Sequence, residues 1–249
     1  MQDKMIVEDY ESKTIDLTGK MTLEEKVGQL TQIVPSLYGA FEEIITKLVE
    51  GEISYQEFQA MEKNYHKDEI REGILGSMGG VTGAEISNEL QKIAIEESRL
   101  GIPMLFGLDV IHGYKTIFPI PLAEACSWDL DLIEKTAEIA AKEASAAGIH
   151  WTYAPMVDIT RDPRWGRIAE GAGEDTYLGS MIGAARVKGF QGEDLSDAQS
   201  ILACAKHFAA YGGAVGGRDY NTVDMSLQTL HEVYLPPFEA AAKAGVGTF

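Results

Sequence analysis

The chain has 249 residues, with 21 Lys and Arg against 39 Asp and Glu, for a formal net charge of −18 at pH 7. That excess of carboxylates argues against nucleic acid and against an anionic membrane surface, since both need a basic patch. With 45% hydrophobic and 24% charged residues, the composition is that of a globular protein, not of a disordered, collagenous or coiled-coil chain.

No stretch approaches the roughly 18 consecutive apolar residues of a membrane span. The opening MQDKMIVEDYESK is too acidic and polar for a signal peptide, although a signal removed upstream would leave no trace. Cys126 and Cys204 lack CxxC spacing and read as buried free thiols.

In chain order, Thr22 with Glu25 forms a capping box, and Leu23, Val27, Leu30 and Val34 follow along one helical stripe. Residues 36–72 carry charge-rich, helical-looking stretches around Phe41, Ile44, Leu48, Tyr55 and Phe58. They read as a surface excursion, so residues 1–72 are expected to form a helical lead-in. From Gly73 short apolar runs alternate with amphipathic helices. The runs cover 74–78, 102–108, 149–157 and 201–205, with a last one from Val246. Helices are expected to open at Thr82, with Glu85 as capping partner, at Asp129, near Asp175 and at Ser226. Gly148 and Gly245 stand where left-handed C-caps are expected.

Apolar strands alternating with helices build parallel βαβ units with both sheet faces covered. The spacing fits an α/β fold of the (β/α)8 TIM-barrel type over residues 73–249, with about five to six of its eight strands. The last run stops at Phe249, which leaves an unpaired edge, so the sequence reads as truncated at its C-terminus.

In such architectures the working residues lie just after each strand. After 102–108 comes Asp109, followed by Val110, Ile111, His112 and Gly113. A carboxylate there is either an acceptor for ligand hydroxyls or a loop-pinning residue. After 149–157 comes Asp158 and then RDPRWGRIAEGAGED, with Arg161, Arg164 and Arg167 ahead of Glu170, Glu174 and Asp175. This suggests a buried ion-pair network flooring a pocket, with one arginine reaching substrate. Asp162 and Pro163 set a turn, and Trp165 reads as a hydrophobic wall. After 201–205 come Lys206 and His207, adjacent side chains expected to point to opposite sides. A Schiff base through Lys206 is a competing reading of that pair. Gly212, Gly213, Gly216 and Gly217 lack the spacing of a phosphate cradle and read as a mobile or turn-rich loop.

The order GLDVIHG, APMVDITRDPRWGRIAEGAGED, AKHFAAYGG with GGRDYNTVDMS, and YLPPFEAAAKAG resembles the N-terminal barrel of the family-three glycoside hydrolases, in particular the bacterial β-glucosidases. MTLEEKVGQL is similar to that family's opening helix, and the resemblance covers nearly the whole chain from Met21. It implies a retaining, exo-acting hydrolase of terminal β-linked sugars, usually glucose and sometimes xylose. It further implies that Asp109, Arg167, Lys206 and His207 bind the sugar, with Asp109 gripping the hydroxyls farthest from the scissile bond. The expected partner is a small-molecule or oligosaccharide β-glucoside.

The mechanism requires a nucleophile and an acid/base roughly 5 Å apart. The family's nucleophile is an Asp in a Ser-Asp-Trp or Ser-Asp-His setting, expected beyond Phe249, and the acid/base comes later still. Asp158, Asp175, Asp219 and Asp224 lack that setting, so no catalytic residue is assigned within the chain, and the isolated 249 residues are expected to be inactive. A relative that cleaves N-acetylglucosaminides would carry a His and Asp on the loop after Lys206 and His207, where this sequence has GGAVGGRDYNTVDMS. A non-catalytic carbohydrate-binding barrel is the alternative from another class. No cofactor is expected, and no cluster has metal-ligand spacing. Periplasmic or extracellular placement is favoured over cytoplasmic.

Overall fold

The structure is a computed structural model that describes residues 2–34, 46–57 and 66–249. The expectations at Phe41, Ile44 and Phe58 lie outside the described residues. The chain divides into two compact units, Met1–Phe106 and Gly107–Phe249.

In the first unit, α1 spans Gln2–Lys20 and α2 spans Leu23–Gln29. The capping box opens α2: Glu25 N–H donates to Thr22 Oγ1 at 3.2 Å, and Thr22 N–H donates to Glu25 Oε2 at 2.8 Å. The apolar stripe of the sequence reading is not its packed face, since Leu23, Val27, Leu30 and Val34 are all exposed. Glu25 and Gly28 are buried instead. A Cβ on Gly28 would lie 2.4 Å from Ile74 Cα, so backbone approaches backbone there. Arg99 fastens the same turn, donating Nε–H to Glu25 Oε1 and Nη2–H to the Lys20 carbonyl, each at 2.9 Å.

Strand β1 (Gln32–Ile33) pairs in parallel with β2 (Ser77–Gly79), and Leu105 N–H donates to the Gly76 carbonyl. Helix α3 (Lys67–Glu72) stops at Gly73 with φ of 71°. Helix α4 (Ala84–Glu96) follows Gly83, not Thr82. Gly83 has φ of 116°, a turn that glycine makes without strain, and it shifts the helix start past the expected cap. Ile70, Leu75, Met78, Val81, Leu90, Ile93, Met104 and Phe106 form this unit's core.

In the second unit, the end of β3 (Leu105–Leu108) pairs in parallel with β4 (Trp151–Thr152), Gly107 beside Trp151 and Leu108 beside Thr152. Single-residue parallel bridges join Trp151 to Leu202, Met156 to Lys206 and Cys204 to Thr248. The apolar runs at 149–157, 201–205 and from Val246 therefore lie in parallel register, as an incomplete α/β barrel requires.

Short helix α5 (Pro121–Ala125) was not anticipated. Helices α6 (Leu130–Ser145) and α7 (Thr176–Gln191) begin on Asp129 and Asp175, whose carboxylates accept the N–H of Leu132 at 3.0 Å and of Leu178 at 2.7 Å. Ser226 caps a helical turn, Leu227–Thr229, that runs on through Leu230–Tyr234 to α8 (Pro236–Lys243). Gly148 and Gly245 take the left-handed conformation at φ of 80° and 83°. Cys204 is buried, but Cys126 is exposed at the end of α5, which corrects the reading of two buried thiols.

On α6, Ala137, Ala140, Ala141 and Ala144 make a buried stripe of small side chains over Ile149, Val157, Val187, Phe190 and Phe238. They let α7 approach closely. A Cβ on Gly189 of α7 would meet the Glu134 carbonyl oxygen at 2.3 Å and Ala137 Cβ at 2.7 Å. Gly189→Ala is therefore expected to destabilise by about 1–3 kcal/mol, because overpacking outweighs the gain in helix propensity. The midpoint of urea unfolding measures this, and an unchanged midpoint would refute the close-packing argument.

Candidate functional site

The residues of interest all belong to the second unit, on the segments that follow its parallel strands. Asp109 comes directly after β3, and Lys206 bridges in parallel to Met156. Lys206 Nζ donates to Asp109 Oδ1 at 2.5 Å. The lysine side chain is 12% exposed and the aspartate 59%, so a sheltered ammonium anchors a carboxylate that still faces solvent. His207 finds a different partner: its Nδ1 lies 2.8 Å from Asp158 Oδ2, and its backbone N–H donates to the same oxygen at 2.9 Å. The adjacent side chains thus bind different carboxylates.

Arg167 lies on the short helical turn Gly166–Glu170 and forks onto Glu170, Nε–H to Oε1 at 2.7 Å and Nη2–H to Oε2 at 2.8 Å. Its guanidinium is 5.4 Å from the centroid of the Tyr211 ring. Arg167 holds the Glu170 carboxyl below the usual carboxylate range, and the charge of Lys206 adds to the effect. The two ion pairs therefore share one local field.

Tyr211 links the parts. Its ring stands edge-on to Trp165 and to His207, with centroids 5.0 Å away in each case. Its hydroxyl donates to Asp219 Oδ1, which also accepts the Trp165 Nε1–H at 2.9 Å. Desolvation, and then the bond to Asp219, push the Tyr211 phenol up to about 12, so it stays a neutral donor at ordinary pH. Tyr211 and then Trp165 lower Asp219 from its usual value.

Two expectations need correction. Trp165 is 1% exposed, so it is a buried support beneath Tyr211 and not a wall of the pocket. Nor do the three arginines share one buried network. Arg164 pairs locally with Asp162 at 2.7 Å with its side chain largely exposed, Arg167 pairs with Glu170, and Arg161 is exposed. The Arg164 guanidinium, and then its backbone N–H, bring Asp162 down to about 2. The glycine segment is turn-rich, with Gly216 and Gly217 at φ of 71° and 63°. Together with residues 161–164 and Tyr234 it lines an open cavity of about 580 Å³ that none of the four sugar-binding candidates borders.

Residues the sequence reading missed include Tyr211 and an ion pair, Arg186 with Glu124, whose side chains are 5% and 6% exposed. Arg186 also donates Nη1–H to the Ile111 carbonyl at 2.9 Å, two residues after Asp109. The signal for it was a lone arginine within the small-residue stretch of α7. Among the described residues, no group of three or more His, Cys, Asp or Glu could hold a metal ion, and no helix is long and apolar enough to cross a membrane.

Residues 22–249 match the glycosyl hydrolase family 3 N terminal domain. The chain belongs to glycosyl hydrolase family 3. It is 40% identical over 232 residues to a periplasmic beta-glucosidase of Salmonella typhimurium, covering 93% of this chain and 28% of that protein. It is 35% identical over 245 residues to a putative beta-xylosidase of Formosa agariphila, covering 94% and 31%. A solved beta-glucosidase of Listeria innocua in complex with glucose superposes with a TM-score of 0.77 at 40% identity, over 96% of this chain and 32% of that one. A mutant of the Listeria enzyme in complex with laminaribiose gives 0.78 at 42% identity, over 94% and 32%. This family 3 chain thus spans less than a third of the length of these relatives.

Proposed function

We propose that this family 3 chain forms the sugar-binding part of a retaining β-glycosidase that removes terminal non-reducing β-D-glucosyl or related β-glycosyl residues. The observation that carries the reading is the exposed carboxylate of Asp109, held by the sheltered Lys206 beside His207, with the Arg167–Glu170 fork in the same field. A neutral pyranose offers only hydroxyls, and a site discriminates among them by matching each to a fixed acceptor or donor. In this reading Asp109, Arg167, Lys206 and His207 make those contacts, the helices of residues 2–29 lead into the sheet that begins at β1 rather than at 73, and the protein works in the periplasm or outside the cell.

Hydrolysis with retention requires two further carboxylates. Of the chain's own candidates, Asp158 is committed to His207, Asp175 to the start of α7, and Asp219 to Trp165 and Tyr211, while Asp224 is exposed and follows no strand. The nucleophile and acid/base are therefore proposed to come from outside these 249 residues, which by themselves should not turn over substrate. Schiff-base chemistry at Lys206 is disfavoured, because an ammonium paired with Asp109 has no free lone pair for attack.

The test is hydrolysis of an aryl β-glucoside by the full-length protein, with the anomer of the first-formed sugar read by NMR. Release of the β-anomer supports the proposal. Glucose binding without hydrolysis would favour the non-catalytic barrel, and neither binding nor hydrolysis would end the sugar-binding reading.

A further inference from the structure

Asp158 sits directly behind His207. Its side chain is fully buried, and a single oxygen makes both of its bonds, Oδ2 facing His207 Nδ1 at 2.8 Å and accepting the His207 backbone N–H at 2.9 Å. The other oxygen, Oδ1, is buried without a hydrogen-bond partner among the described residues. A dry carboxylate with one bare oxygen is costly to keep. What it supplies is an acceptor that cannot donate, aimed at one ring nitrogen, and such a group decides which nitrogen carries the proton.

We infer that Asp158 is a positioning residue that keeps the proton of His207 on Nδ1 and so presents Nε2 as a lone-pair acceptor to one hydroxyl of the bound sugar. The inference rests on the sugar-binding role given to His207 above. Two groups that never touch ligand then define the imidazole: Asp158 sets its tautomer, and the Tyr211 ring, edge-on at 5.0 Å, steadies its plane. The backbone N–H matters because it ties the carboxylate in place. An asparagine at 158 faces a choice of two losses. It can keep its oxygen on both donors and bury an NH2 group without an acceptor. Alternatively it can turn the NH2 onto Nδ1, which drives the proton to Nε2 and strips the His207 N–H of its partner. In the second arrangement a donor meets the sugar where an acceptor belongs.

The experiment is a double-mutant cycle in the full-length protein, with kcat/KM measured on an aryl β-glucoside for Asp158→Asn, His207→Ala and the double variant. Asp158→Asn is expected to lower kcat/KM by about tenfold or more in the wild-type background, as a wrong tautomer does. In the His207→Ala background the same change should alter it by less than about twofold, because the effect travels through the ring. Equal factors in the two backgrounds mean a purely structural role and overturn the inference, as does an Asp158→Asn value within about twofold of wild type. Should Asp158→Asn not fold, Asp158→Ser is read by the same rule. A second readout uses monodeoxy glucosides. Wild type should discriminate against the substrate lacking one particular hydroxyl, and the Asp158 variant should lose most of that discrimination; discrimination retained in full overturns the inference. If His207→Ala itself keeps wild-type kcat/KM, the sugar-binding role of His207 has failed, and this inference falls with it.

Discussion

Asp109→Ala in the full-length protein is expected to lower kcat/KM on an aryl β-glucoside by a factor of about 100 or more, since a charge-assisted contact contributes roughly 1.5–3 kcal/mol and gains as the transition state forms. Two losses act together. The sugar loses its carboxylate acceptor, and Lys206, only 12% exposed, loses its counter-charge and must draw water into the site. Asp109→Asn separates them, because it keeps an oxygen for Lys206 and removes only the charge. Steady-state kinetics on both variants checks this, with circular dichroism to confirm folding. Unchanged kcat/KM for Asp109→Ala would remove Asp109 from the site.

The largest effect on stability is expected at Arg186. Burial pulls its guanidinium below the usual arginine value against the attraction of Glu124, and Arg186 Nε and Glu124 Oε1 are buried without hydrogen-bond partners among the described residues. Such a pair is sensitive to the loss of either member. Arg186→Met should cost about 3–5 kcal/mol by leaving a buried carboxylate alone, whereas Arg186→Met combined with Glu124→Leu should recover most of that loss. Guanidinium denaturation of the three proteins measures it. A loss below about 1 kcal/mol for the single variant would show that water reaches the pair and that its burial is not energetically important.

What the sequence made legible was local. The Thr22–Glu25 box and the caps at Asp129, Asp175 and Ser226 are correct because each cap and its target lie three residues apart. Gly83 defeated the Thr82 assignment because a backbone turn competes with a side-chain cap. Apolar runs reported burial better than pairing: Ala154 and Val157 are buried beyond the end of β4 at Thr152. Strand-end logic singled out Asp109, Lys206 and His207, and the fold joins Asp109 to Lys206 across 97 positions of chain. The Asp158 bond to His207 and the Arg186 pair with Glu124 span 49 and 62 positions. No local pattern encodes either contact, and a single sequence marks only that a polar group stands in apolar surroundings.

The pairing of charges at the site has a consequence for what the protein can accept. Lys206 is matched by Asp109 and Arg167 by Glu170, while Asp158 stands buried behind His207. Each cation of the proposed site thus already has a carboxylate beside it, and the chain as a whole carries −18. A uronate or a phosphorylated sugar would meet cations that already have counter-ions, inside a repulsive long-range field. In the proposed reading, uncharged glycones are favoured before any hydroxyl is read, and their binding should vary little with ionic strength.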